Sequence, residues 1–169
     1  MSEMQSDWLP FARWNLLRNP FGQLSLADRM AAAVVDVECW LDKLRDKRNA
    51  VQFMGDCGRG KSTHLLALLS RFPNGKYVYL PQDGPRPSIP HGMPLFIDEA
   101  QRMNWWTRRR IFRRSVPLVL GTHADLSPAL RRAGYQVETV CVASRTSVHR
   151  VHKLICRRLE LGRIGPGPI

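Results

Sequence analysis

The 169-residue chain suits one compact domain, or one domain with a small appendage, and a domain of this size buries roughly 70% of its unfolded surface without needing covalent staples. Apolar residues make up 44% and charged residues 24%, which excludes wholesale disorder, and the most apolar stretch, Met30 to Val37, is broken by Asp36, which excludes a transmembrane span. The net charge is +12, with 14 Lys and Arg against three Asp and Glu in residues 102–169 but 12 against 11 in residues 1–101, an asymmetry that points to a polyanionic partner.

Met1 to Pro10 has neither a basic start nor an apolar h-region, so no secretory leader is expected and the chain reads as cytoplasmic. Ser25 followed by Asp28 predicts a capping box that opens a long helix to about Arg48, with Leu26, Met30, Val34, Val37, Leu41 and Leu44 on its buried face. Five short apolar runs then read as strands: Ala50–Met54, Lys76–Leu80, Pro94–Ile97, Pro117–Leu120 and Val137–Val142. Helices are predicted at Lys61–Arg71, Glu99–Ser115, Leu126–Arg132 and from about Thr146 to Leu161, the last with Val148, Val151, Ile155 and Leu159 on one face. Between the second and third strands, Pro81, Pro85, Pro87, Pro90 and Pro94 exclude a helix. Alternating strands and helices predict an α/β, three-layer fold on a mostly parallel five-stranded sheet. The expected organisation is an N-terminal extension over 1–24, a domain over 25–161 and a tail over 162–169 that ends in Gly165-Pro166-Gly167-Pro168.

The strongest chemical signal is Gly55-Asp56-Cys57-Gly58-Arg59-Gly60-Lys61-Ser62-Thr63, which fits the phosphate-loop pattern G-x-x-x-x-G-K-[ST]. It lies between a predicted strand and a predicted helix, the context that pattern requires. Gly55, Gly58 and Gly60 are expected to permit left-handed turns that aim backbone N–H groups inward. The helix start near Lys61 directs its positive end at the same anion. The Lys61 ammonium suits β- and γ-phosphates, and the Ser62 hydroxyl suits Mg2+. About forty residues later, Leu95-Phe96-Ile97-Asp98-Glu99 ends a strand in two carboxylates. Asp98 is assigned to Mg2+ through its water shell, and Glu99 to polarising an attacking water.

With those two motifs the sequence resembles the AAA+ class of P-loop ATPases, in the additional-glutamate division, over roughly Asn49 to Leu161. The resemblance makes Gly55–Ser62 a Walker A motif and Leu95–Glu99 a Walker B motif, and it puts a sensor-like strand end at Gly121-Thr122-His123. It places Leu130-Arg131-Arg132 where such ATPases often carry an arginine finger. The Ile97-Asp98-Glu99-Ala100-Gln101 string and Asn19-Pro20-Phe21 are similar to ATPases that assist transposition or serve secretion. The chain departs from that class in having no helix between strands two and three, and in an expected near-absence of the helical lid and its sensor arginine. The resemblance implies a hydrolase for ATP with Mg2+, working as a homo-oligomer or with a partner protein. The alternative is a nucleotide-binding regulatory module with little turnover. A small-molecule phosphotransferase is disfavoured, because no acceptor site is evident.

Other residues carry competing readings. Thr122-His123-Ala124-Asp125 is similar to the guanine-reading [NT]-K-x-D string of GTPases, but His stands for Lys and no D-x-x-G switch accompanies it, which favours ATP. Thr122 or His123 can hydrogen-bond a γ-phosphate or lytic water, or cap a strand end. The four cysteines, Cys39, Cys57, Cys141 and Cys156, lack ligand spacing and read as buried small hydrophobes, except Cys57 in the phosphate loop. Cys57 is either a loop filler or a thiol activated by the helix start. His149 and His152 read as solvated residues. Finally, Trp105 and Trp106 precede Arg108, Arg109, Arg110, Arg113 and Arg114. This combination suits nucleic-acid phosphates and unstacked bases, although Trp105 and Phe112, seven apart, are equally placed for a core.

Overall fold

The computed structural model describes residues 14–17, 19, 22, 24–142 and 148–163. Pro20 and Phe21 of the Asn-Pro-Phe string, Thr146 at the expected start of the last helix, and residues 164–169 of the tail lie outside the described residues. The chain divides into two compact units, one formed by residues 35–146 and one by residues 1–34 together with 147–169.

The larger unit holds five strands: β1 (Asn49–Met54), β2 (Lys76–Tyr79), β3 (Leu95–Asp98), β4 (Leu118–Thr122) and β5 (Gln136–Cys141). They form one sheet in the order β2-β3-β4-β1-β5, and every pairing is parallel, so the sheet is wholly rather than mostly parallel. Its inner strands β3, β4 and β1 are near-continuously buried because both faces are covered, whereas the edge strands β2 and β5 carry exposed residues. Ala50, Leu95, Ile97, Leu118 and Leu120 pack under Ile111 and Phe112 of one helix and Leu126 and Leu130 beside another. The alternate residues face the other way, where Phe53 meets Trp40 and His64 with ring centroids 5.0 and 4.9 Å apart. These are the three layers of an α/β fold.

Four helices belong to this unit: α2 (Glu38–Leu41), α3 (Lys61–Leu69), α4 (Trp105–Phe112) and α5 (Ser127–Arg132). The step from β1 through α3 to β2 runs to one edge of the sheet, and the step from β4 through α5 to β5 runs to the other. Right-handed crossovers therefore put α3 on the face opposite α4 and α5. The span from Pro81 to Pro94 is irregular, as its prolines require.

Two predicted helices are shorter than expected. The long helix after Ser25 stops after α1 (Leu26–Ala32), where Ala33 turns extended at ψ 120°. The β-branched Val34, Val35 and Val37 disfavour helix here. Asp36 offers the backbone an alternative partner, because its carboxylate accepts the Glu38 N–H at 3.2 Å. Ser25 does cap α1, its hydroxyl accepting the Asp28 N–H at 3.1 Å. The helix expected over Glu99–Ser115 begins only at Trp105, because Asn104 caps it by accepting the Thr107 N–H at 2.8 Å. A separate 3-10 turn, Ala100–Arg102, precedes it.

In the smaller unit, α1 packs with α6 (Val148–Leu161), and Arg157 donates to the Ala31 carbonyl at 3.1 Å. Val148, Val151 and Ile155 are exposed. No helix among the described residues is long and apolar enough to cross a membrane. Three cysteines depart from the expected burial: Cys39 and Cys141 are exposed and Cys156 is half-buried, while Cys57, outside that expectation, is exposed in its loop. Cys141 sits on an edge strand, and the single turn of α2 buries Trp40 instead of its neighbour Cys39.

One buried polar residue ties the sheet to α5. The Gln52 amide donates to Asp125 at 2.5 Å and to Thr139 at 2.7 Å, and it accepts the Leu126 N–H at 3.0 Å. The Asp125 carboxylate also accepts the Ser127 N–H at 2.8 Å. Gln52 first, then Ser127, and last the nearby Arg131 charge hold the Asp125 carboxyl below the ordinary aspartate range. A depressed folded-state pKa means this stabilisation is fully present above about pH 4 and is lost as pH falls through the folded value. Asp125→Asn is therefore expected to be less stable than the wild type in urea at pH 7, with the gap narrowing as pH falls below about 4. A gap that keeps the same size as pH falls excludes the carboxylate charge as its source.

Candidate functional site

All five strands point the same way, so their C-terminal ends share one sheet edge. Three of those ends converge there: the loop after β1, the Asp98-Glu99 end of β3, and the Thr122-His123 end of β4 between them.

The loop after β1 runs from Gly55 to Gly60, and Gly58 (φ 76°) and Gly60 (φ 91°) adopt the left-handed conformation that glycine tolerates best. Gly55 has no positive φ, contrary to expectation; it sits at the strand end, where its N–H donates to the Thr122 carbonyl at 3.4 Å. Asp56, Cys57, Gly58 and Arg59 are exposed, and Thr63 is half-buried in the first turn of α3. Gly60 caps α3 without a side chain. The first-turn N–H donors and the positive helix end are therefore offered to an external anion. Lys61 is only 5% exposed. Its ammonium donates to the carbonyls of Gly55 at 2.8 Å and Asp56 at 3.0 Å, and it lies 3.1 Å from His123 Nε2. These acceptors are neutral, so an incoming phosphate oxygen can replace them with stronger, charge-assisted bonds.

Asp98 is 1% exposed and is held from three sides. The Ser62 hydroxyl donates to its Oδ2 at 2.5 Å, the Tyr77 hydroxyl donates to the same oxygen at 2.9 Å, and the Glu99 N–H donates to Oδ1 at 3.1 Å. The hydroxyl and carboxylate oxygens assigned to a metal thus lie side by side, a hard oxygen pair of the kind Mg2+ takes alongside water and phosphate. Gly121 on the neighbouring strand makes room for this carboxylate, because a Cβ there would stand 2.5 Å from Asp98 Oδ1.

Glu99 stands in the left-handed region at φ 58°, a conformation that costs a non-glycine residue about 1 kcal/mol or more. It turns the carboxylate out of the strand line and toward β4. Oε2 accepts from Gln101 at 2.8 Å and pairs with Arg102 at 3.0 Å, while Oε1 lies 3.3 Å from His123 Nε2. Arg102 is anchored by the Leu80 carbonyl at 2.8 Å. Its guanidinium is held above the ordinary value by the Tyr79 hydroxyl first, with the Glu99 charge contributing. Gln101 also accepts the His123 N–H at 3.2 Å, so one side chain orients both neighbours.

One imidazole nitrogen therefore sits between the Lys61 ammonium and the Glu99 carboxylate. Without a proton, Nε2 accepts from Lys61; with one, it donates to Glu99 and has no lone pair left for Lys61. Thr122, assigned a catalytic role from sequence, is fully buried, and its hydroxyl exchanges hydrogen bonds with Ala124 at 2.7 and 3.1 Å, which is strand-end capping. Asp125, the possible base reader, is committed to Gln52 and Ser127. Tyr77 and Arg102 carried no sequence motif, although the opposite charges of Glu99 and Arg102, three apart, signalled a pair; Gln101 stood in the Ile97–Gln101 string but with no role assigned to it.

Arg131 and Arg132 are both exposed on the last turn of α5; the Arg131 charge acts on Asp125, and Arg132 lies beside Arg48, just before β1. No known family and no curated protein matches the chain.

Proposed function

We propose that this chain binds ATP with Mg2+ at the C-terminal edge of its sheet and hydrolyses it to drive a conformational or assembly switch. The observation that carries this reading is the convergence of Lys61, the Ser62–Asp98 pair and Glu99 around the glycine-rich loop and the start of α3. The left-handed glycines and the helix end take the phosphate chain, and Lys61 supplies a point charge to its outer phosphates. Ser62 and Asp98 would hold Mg2+, which when bound neutralises charge developing on the phosphate oxygens. Glu99 accepts a proton from the attacking water, and Gln101 and Arg102 fix the direction in which its carboxylate faces. His123 links that carboxylate to Lys61, so charge arriving at one is felt by the other.

The same contacts favour a second reading, nucleotide binding with little turnover, because Gln101, Arg102 and His123 already occupy both Glu99 oxygens. Titration of fluorescent ATP, with phosphate release followed in parallel, separates the two. Binding is expected to require Mg2+ for full affinity and to weaken about 10- to 100-fold in Lys61→Ala, the range for losing a hydrogen bond to a charged group. Unchanged affinity in a folded Lys61→Ala protein removes the loop from the nucleotide site. Binding with no phosphate release selects the second reading.

A further inference from the structure

The basic residues after Trp105 do not form a uniform charged face. Arg114 is turned inward, donating to the Pro90 carbonyl at 2.9 Å, and Phe112 is buried against Tyr135. The others surround two adjoining concavities. One, of about 550 Å³, lies between α4 and α5 and is lined by Arg48, Trp105, Arg108, Arg109, Arg113 and Arg132, among others. The second, of about 470 Å³, lies on the other flank of α4 and is lined by Trp106, Thr107, Arg109, Arg110 and Arg113. Arg109 and Arg113 are shared and form the ridge between them. Among the described residues, no carboxylate lines either concavity.

Both indoles are open to solvent, Trp105 at 59% and Trp106 at 74% exposure. The two rings meet edge to face with centroids 4.5 Å apart, and a pair of indoles left in water beside a cationic ridge is uncommon unless something covers it. Arg109 sits over the Trp105 ring at 5.5 Å, which restrains both side chains before any ligand arrives. Arg108 donates to the Met103 carbonyl at 3.3 Å and to the Gln101 carbonyl at 3.5 Å, and its Nε is buried with no acceptor among the described residues. Like charges gathered without counter-charge repel one another, and a concave polyanion site is where that cost is recovered.

We propose that the α4–α5 face binds single-stranded nucleic acid. Consecutive bases stack on the open sides of this indole pair, and the phosphate between them lies on Arg109 and Arg113. Arg48 and Arg132 receive the backbone as it leaves the first concavity. A stacked duplex keeps its base faces closed to indole rings, whereas an unpaired strand offers one face per nucleotide. Each concavity falls within the ~300–1,000 Å³ range of small-ligand sites. This proposal is independent of nucleotide hydrolysis, and it places Arg132 in strand binding.

The test is fluorescence anisotropy of labelled 12-mers with the full chain, using a mixed-sequence single strand, an abasic strand of equal length and a duplex. The single strand is expected to bind at least tenfold more tightly than either of the others. Trp105→Ala and Trp106→Ala, both at exposed positions that leave the core intact, are expected to weaken it about 5- to 100-fold each, at unchanged melting temperature. Arg109→Gln with Arg113→Gln is expected to reduce the slope of log affinity against log salt by about 0.7, the share of one phosphate on a single strand. Equal affinity for the abasic strand overturns the stacking assignment, and duplex binding equal to the single strand overturns the preference for unpaired bases. No binding at ~50 mM salt, or displacement by an acidic peptide but not by unlabelled strand, identifies the face as a protein-binding one and ends the proposal.

Discussion

Replacing Glu99 by Gln is expected to leave ATP binding close to the wild-type value and to lower hydrolysis by about 10²–10⁴-fold, the usual contribution of a positioned general base. The substitution keeps the size of the side chain, and a glutamine oxygen can still accept from Gln101 and Arg102. What disappears is the group that takes a proton from water, so affinity and turnover should separate cleanly. Single-turnover phosphate release checks this. Hydrolysis at the wild-type rate removes Glu99 from the reaction. If wild type and variant are equally slow while both bind nucleotide, the binding-only reading is correct, and release of Glu99 from Arg102 becomes the step that a partner would have to drive.

The second large effect is expected at a residue that has no side chain of its own. Gly121→Ala adds one methyl group, which would stand 2.5 Å from Asp98 Oδ1 and 3.5 Å from Leu65 Cδ2. Neither neighbour has free space: Leu65 is fully buried, and Asp98 is held by Ser62, Tyr77 and the Glu99 N–H. Overpacking of this kind costs about 1–3 kcal/mol of stability, readable as a lower urea midpoint at constant slope. The displaced carboxylate should also lose its place beside Ser62, so the Mg2+ dependence of nucleotide binding should weaken more than the Mg2+-free affinity. A variant with wild-type stability and unchanged Mg2+ dependence shows that Asp98 tolerates movement and that Gly121 has no part in shaping the site.

Much of the architecture was legible in the residues themselves. The five apolar runs became five strands with boundaries shifted by a residue or two; the signal is strongest in the inner strands, because a doubly covered parallel strand must be nearly continuously apolar. The glycine-rich loop was readable because Gly58 and Gly60 are the cheapest way to turn left-handed between a strand and a helix. The proline spacing of 81–94 was enough to exclude a helix there. Local competition, in contrast, escaped periodicity: Leu26 to Leu44 keep helical spacing, yet Asp36 and the valines around it break the helix.

Sheet order is what the chain's linear pattern could not supply. Strand β4 inserts between β1 and β3, and that alone carries His123 into the space between Lys61 and Glu99 and sets Gly121 against Asp98. The pairing of β2 with β3 likewise brings Tyr77 to Asp98. These contacts join residues 21 to 62 positions apart, and no helical or strand period connects such distances. The arginines and tryptophans after Asn104 were visible as a composition, but their partition depended on tertiary packing. Phe112 and Arg114 turn inward, while Trp105, Trp106, Arg109 and Arg113 remain outside. One face of α4 must cover the sheet's apolar residues, and only the helix's rotation on that sheet determines which side chains are left for water or a ligand.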